Sequence, residues 1–181
     1  MIPALVWYLD RATAIVAYPA LYLAVVTGVT YNTPAFGSVC QAARRVHFDV
    51  AFFAIIVMVG HAVLGTLDAV FIVTGAAPKP AYSMTYFVGG VVLGGVATAV
   101  LVVAVLGFLD PRRFSRPLTP KVVHALAYGG FAFATIHAVA IGTDVTGLVH
   151  AAMVSGVGFL VYVLLFRLAV EVGIVRGSGT V

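Results

Sequence analysis

The sequence predicts an all-α protein, a polytopic membrane bundle of five transmembrane helices with its N-terminus outside and its C-terminus in the cytoplasm. Three observations carry that expectation. Hydrophobic residues fill 62% of the 181 positions and charged residues only 9%, whereas a water-soluble domain carries about 25% charged residues. Five stretches are long and apolar enough for a ~30 Å hydrocarbon core, which takes about 20 residues of helix. Basic residues collect between alternate stretches, the pattern of the positive-inside rule. A soluble enzyme, a disordered chain and a collagen-like fibre are excluded. The net charge of +4 marks topology rather than a nucleic-acid partner. One domain, 1–181, is expected, filled by its spans and leaving no room for a nucleotide-binding domain.

The first span is 12–31, free of charge, with Pro19 placed to kink it and Trp7 and Tyr8 just before it. Those two aromatics suit the interfacial belt. The opening Met1-Ile2-Pro3-Ala4 lacks the basic region of a cleaved signal peptide, so this span is expected to stay as an anchor. Asn32-Thr33-Pro34 follows it as a turn. The second span, 46–67, carries one charge, Asp49, near its first turn, where the helix dipole favours a carboxylate. Asp68 to Ser83, with Pro78-Lys79-Pro80, is expected to be the longest outer loop. The third span is 84–109, stopped by Asp110-Pro111. Its Gly89, Gly90, Gly94 and Gly95 let a neighbouring helix, or a flat cofactor, approach closely. Thr119-Pro120 reads as an N-cap with proline at the first helical position, opening the fourth span, 122–141. Asp144 is placed to cap the fifth, 145–166. Continuous apolar runs of this kind are not the short alternating segments of a strand barrel.

Orientation follows from the basic residues. With the N-terminus outside, Arg44, Arg45, Arg112, Arg113, Arg116, Lys121, Arg167 and Arg176 lie on the cytoplasmic side, and only Arg11 and Lys79 face outward. Eight against two decides the topology. The protein is accordingly expected to be a multi-pass protein of the cell membrane, in contact with lipid. The lone Cys40 excludes an intrachain disulfide, a cysteine-cluster iron–sulfur site and a covalent haem attachment.

The chemistry resides in histidines. His47 and His61 stand on the second span, His124 and His137 on the fourth, and His150 early in the fifth. A coordinating side chain in hydrocarbon is costly and is a functional candidate by default. His47 and His61 are about 21 Å apart along a helix rising ~1.5 Å per residue, close to four full turns, so their rings share a face. His124 and His137 are about 19.5 Å apart by the same rise. The second and fourth spans run in the same direction, which puts His47 level with His124 and His61 level with His137. Two imidazoles at each of two depths suit haem b held through both axial positions, whereas zinc or copper wants three or four donors at one level. Thirteen residues make about 3.6 turns, so His124 and His137 do not share a face of a straight helix. Either the fourth helix bends or changes winding, or the two haems approach it from different azimuths, and Gly129-Gly130 permits both.

Arg44-Arg45-Val46-His47 with His61 thirteen intervening residues later, then His124 with His137 twelve later, resembles the ferric-reductase-like transmembrane domain. That domain is shared by ferric reductases, NADPH oxidases and the haem-binding subunit of the methionine-sulfoxide reductase system. Trp7-Tyr8-Leu9-Asp10-Arg11-Ala12 is similar to the leading segment of prokaryotic members. Val123-His124-Ala125-Leu126-Ala127-Tyr128 and His137-Ala138-Val139-Ala140-Ile141-Gly142-Thr143-Asp144 resemble the segments around their second histidine pair. The likeness covers residues 7 to 167. It implies two haem b groups, the inner on His47 and His124, the outer on His61 and His137, with electrons passing outward. Fused members carry FAD- and NADPH-binding domains after the last span, and this sequence ends soon after Arg167. It is expected to be an electron-transfer subunit rather than a complete oxidoreductase. A separate flavoprotein, quinol or redox subunit is its expected donor, and a stable complex with that subunit would be a hetero-oligomer.

Haem propionates need cations or hydrogen-bond donors nearby. Arg11 is the candidate at the outer level, set against a plain interfacial anchor, and Arg45 the candidate at the inner. His150 reads as a hydrogen-bonded interfacial residue before it reads as a contact of the outer haem. Two other functions remain open on the sequence. One is a quinol-linked cytochrome b anchoring a respiratory enzyme. The other is a non-redox transporter or assembly subunit whose histidines only pack, although transport favours broken helices and these spans read as continuous.

Overall fold

The computed structural model describes residues 1–109 and 120–174. Five helices follow in chain order: α1 Ile2–Tyr31, α2 Ser38–Val73, α3 Met84–Leu109, α4 Pro120–Ile141 and α5 Gly147–Glu171. A 3-10 turn, Pro34–Phe36, joins α1 to α2. The described residues contain no strand. All five helices are long and apolar enough to cross a membrane, and the fold is the expected all-α polytopic bundle. Large apolar side chains cover its outside: Ile15 on α1, Phe52, Ile56 and Val63 on α2, Val92 on α3, Ile136 on α4 and Leu165 on α5 are all exposed. Water does not tolerate contiguous apolar surface on that scale; lipid does. The chain is a multi-pass membrane protein.

The helices overrun the hydrophobic spans. α1 begins ten residues before its span and takes in Trp7, Tyr8, Asp10 and Arg11. At its other end α2 runs past the expected boundary to Val73, so Asp68 is a buried helical residue rather than the start of a loop. One carboxylate does not end a helix. The stop is Gly75, which adopts a left-handed φ of 78° while the Ala77 N–H bonds the Phe71 carbonyl at 2.9 Å, the glycine-based C-terminal motif. The loop to α3 is therefore 74–83, not 68–83. At α5 the N-cap is Thr146, not Asp144. Asp144 sits in the turn before it and accepts the Thr146 N–H on its carbonyl at 2.9 Å. Proline opens α4 as expected. Thr119, Asp110, Pro111, Arg112, Arg113, Arg116 and Arg176 lie outside the described residues.

The helices assemble into two compact units, Met1–Pro19 with Ala54–Gly142, and Ala20–Phe53 with Thr143–Val181. α1 and α2 run through both, and in α1 the division falls at Pro19, which removes a helical hydrogen-bond donor. In the first unit α3 and α4 pack antiparallel through small residues. A methyl group at Gly90 would collide with Ile141, one at Gly94 with His137, and one at Gly130 with Leu101. Gly89, Gly95 and Gly129 face open space. Close helix packing is thus the work of Gly90 and Gly94, the other two glycines of that run having no such part. Tyr18 of α1 stacks on Phe131 of α4 at 5.8 Å and shares a 3.2 Å hydrogen bond with the Thr135 hydroxyl.

In the second unit Leu21, Ala24, Val25 and Val29 of α1 are buried with Ala43 of α2 and Leu160 and Val163 of α5. The Tyr22 hydroxyl donates to the Gly156 carbonyl at 3.0 Å, and Phe36 packs on Phe166 at 5.2 Å.

Candidate functional site

The first unit brings two of the four candidate histidines together. The rings of His61, on α2, and His137, on α4, are 6.1 Å apart centre to centre, at 62° to each other. Each ring is fixed through Nδ1. His137 Nδ1 donates to the Gly90 carbonyl of α3 at 2.7 Å, in the hollow that Gly94 leaves for the ring. His61 Nδ1 lies 2.8 Å from Asp10 Oδ1 and 3.2 Å from the Asp10 carbonyl, both on α1. The hydrogen bond of His61 Nδ1 goes to the Asp10 carbonyl, which can only accept, so Nδ1 carries a proton. Asp10 Oδ1 lies beside it, sealed from solvent and without a hydrogen bond of its own. Nδ1–H of both rings is thus engaged by a main-chain carbonyl, and Nε2 of each takes no part in these bonds.

The separation of the ring centres is the one a metal held between two imidazoles would need. A metal–imidazole bond is roughly 2 Å long, so two such bonds and half a ring on each side bring ring centres to about 6 Å. Ligating histidines characteristically give their second nitrogen to a carboxylate or backbone carbonyl, as these two do. Among the described residues no three His, Cys, Asp or Glu side chains form a metal-ion group. The pair offers two imidazole nitrogens, fewer than the four donors of a structural zinc site.

His47 stands in the second unit, buried, with its Nδ1 3.0 Å from the Ala24 carbonyl and 3.3 Å from the Thr27 hydroxyl of α1. Gly28 is its cradle, since a methyl group there would come within 2.9 Å of the ring. Tyr31 packs on it at 5.1 Å. His124 is half-buried near the start of α4, in the first unit. α4 runs as unbroken α-helix through Gly129-Gly130, so no change of winding separates His124 from His137. Arg11 lays its guanidinium over the Trp7 ring at 4.1 Å, an interfacial cation–π pair. Arg45 is exposed on α2, and His150 is exposed in the first turn of α5.

Reasoning from sequence missed Asp10 as a partner of His61. The two are 51 positions apart and no spacing rule connects them. It also missed Asp68, two turns beyond His61 and within Coulombic reach of Asp10 and Arg11. The clue was available in part: a carboxylate inside an apolar helix is costly and implies a nearby partner.

The fold defines a multi-pass α-helical membrane protein, and within it two imidazoles stand side by side. The family described as domain of unknown function DUF8596 matches residues 5–144, which take in α1 from Leu5 onward, all of α2 to α4, and His47, His61, His124 and His137, and the chain belongs to that family. Neither the curated proteins nor the solved structures contain a match to it.

Proposed function

We propose that this protein is a bis-histidine, di-haem b cytochrome that carries electrons across the cell membrane, from a cytoplasmic-side donor to an outer-side acceptor. The single observation that carries the reading is the His61–His137 pair, 6.1 Å apart with both Nδ1 atoms engaged. The resemblance to the ferric-reductase-like transmembrane domain rests on the same residues and adds a second haem on His47 and His124. The proposed orientation is N-terminus out and C-terminus in, by the basic-residue count. Bound iron porphyrin would supply one-electron exchange between ferric and ferrous states.

The chain's own residues supply the rest. His61 and His137 offer Nε2 as ligands while Asp10 and Gly90 stop their rings from turning. Gly94 and Gly28 leave the space in which His137 and His47 stand. The apolar helices keep water out. Arg11 and Arg45 are the proposed propionate partners at the outer and inner levels. Electrons come from a separate flavoprotein, quinol or redox subunit.

The test is the absorption spectrum of the detergent-purified protein. The expected result is two haem b per chain, with a Soret and an α band that shift on adding dithionite. A colourless, folded preparation from iron-replete cells overturns the proposal. A quinol donor draws on one observation. An open apolar groove of about 460 Å³, lined by Ser83, Tyr86, Leu93 and Ala140, shares Gly90, whose carbonyl holds His137. Reduction of the haems by a soluble quinol, but not by a reduced flavoprotein, favours that form of the reading.

A further inference from the structure

We infer that Asp10 is a positioning residue that sets the reduction potential at the His61–His137 site, through its carboxylate on His61 Nδ1. The inference rests on the haem reading above and concerns how that site is tuned. The histidines differ in what lies beside Nδ1. His137 gives its Nδ1–H to a neutral carbonyl, Gly90, and His47 has a neutral carbonyl, Ala24, at its Nδ1. His61 hydrogen-bonds the Asp10 carbonyl at 3.2 Å and has, in addition, the carboxylate oxygen Asp10 Oδ1 2.8 Å from Nδ1.

A carboxylate 2.8 Å from Nδ1 sets negative charge against the imidazole and polarises its N–H bond. The ligand becomes more basic. A more basic axial ligand favours the ferric iron, which carries the extra positive charge, and so lowers the potential. Burial magnifies the effect, because a charge in a poorly polarisable surrounding acts more strongly than one in water. The oxygen in question is sealed from solvent. Asp68 adds a second carboxylate within Coulombic reach of Asp10, while Arg11 on the same stretch opposes it.

The architecture makes room for this contact. Gly65 stands one turn after His61 on α2, and a methyl group there would lie 3.0 Å from Asp10 Oδ1. The missing side chain lets the carboxylate lie against α2 beside the ring it serves. Asp10 touches neither the proposed iron nor an acceptor. It acts through His61.

Redox titration of the full-length, haem-loaded protein in detergent, followed in the visible bands, tests the inference. Asp10→Asn keeps an oxygen at the same place and removes the charge. It should retain two haems while one midpoint potential rises by at least a tenfold change in the reduction equilibrium, about 59 mV for one electron, and the other stays. Gly65→Ala, which displaces the carboxylate without removing it, should move the same component in the same direction by less. A merely structural Asp10 would change haem content or stability and leave the potentials where they are. Two haems with unmoved potentials in both variants overturn the inference and leave the cytochrome reading intact. If Asp10→Asn loses a haem, Gly65→Ala decides alone, a shift supporting the inference and a constant potential overturning it. A wild-type chain without haem overturns the cytochrome reading, and the inference falls with it.

Discussion

His61 and His47 stand fourteen residues apart on one helix, and the surroundings of the two rings differ in kind. His61, in the first unit, has a carboxylate at Nδ1 and a second imidazole 6.1 Å away. His47, in the second, has a carbonyl and a hydroxyl at Nδ1, a glycine beneath its ring and Tyr31 against its side. Both are oriented from α1, by Asp10 in one case and by Ala24 and Thr27 in the other. The first helix thus serves as the template that fixes both imidazoles of α2. The contrast shows how one helix pair can hold the same side chain in two unlike surroundings.

Removing the imidazoles one at a time is the hardest test of that comparison and has the largest expected effect. His61→Ala and His137→Ala should each reduce haem content from two per chain to about one by pyridine haemochrome assay, with the same species lost in both. His47→Ala should lose the other species. Unchanged haem in the first two variants, or loss of the same species in all three, breaks the distinction between the sites.

The cradles offer a milder test. Gly94→Ala forces a methyl group against His137, and Gly28→Ala does the same against His47. Inserting a methyl into a packed contact costs typically about 1–3 kcal/mol. Each variant should therefore lower the midpoint of thermal haem release, Gly94→Ala for the species lost in His137→Ala and Gly28→Ala for the species lost in His47→Ala. Gly89→Ala, which meets open space, is the control and should change nothing.

The smallest effects should come from the tyrosine hydrogen bonds, one in each unit. Tyr22→Phe gives up the bond to the Gly156 carbonyl, and Tyr18→Phe gives up the bond to Thr135. Polar contacts between membrane helices average about 0.6 kcal/mol, so each should cost roughly that in a steric-trapping or denaturation assay. Both should leave the visible spectrum as it is. A spectral change in either would tie that unit's packing to its histidine more closely than the contacts do.

The helices themselves were legible in the sequence because membrane spans write themselves as long uncharged runs. α3 coincides with its run from end to end, since charge and proline follow directly after Leu109. Boundaries beyond the hydrocarbon were harder to read. Asp68 looked like the edge of a loop because hydropathy registers its charge, yet backbone geometry at Gly75 is what ends α2. Asp144 looked like a cap by residue type, and Thr146 takes the position because it directly precedes the first residue of α5. At the site, the histidines were found because an imidazole in an apolar run stands out. Asp10 was not, because its meaning depends on which helix α1 packs against. Gly94 and Gly28 carry the same lesson. A glycine in a span says that something comes close, and only the fold says what.

The antiparallel seam between α3 and α4 has a consequence for His137. Ile141 and His137 drop into gaps on α3, and Leu101 drops into a gap on α4. That zipper closes on side chains of the polypeptide alone. His137 is thereby parked with its ring already turned, so its orientation belongs to the polypeptide and waits on no other group.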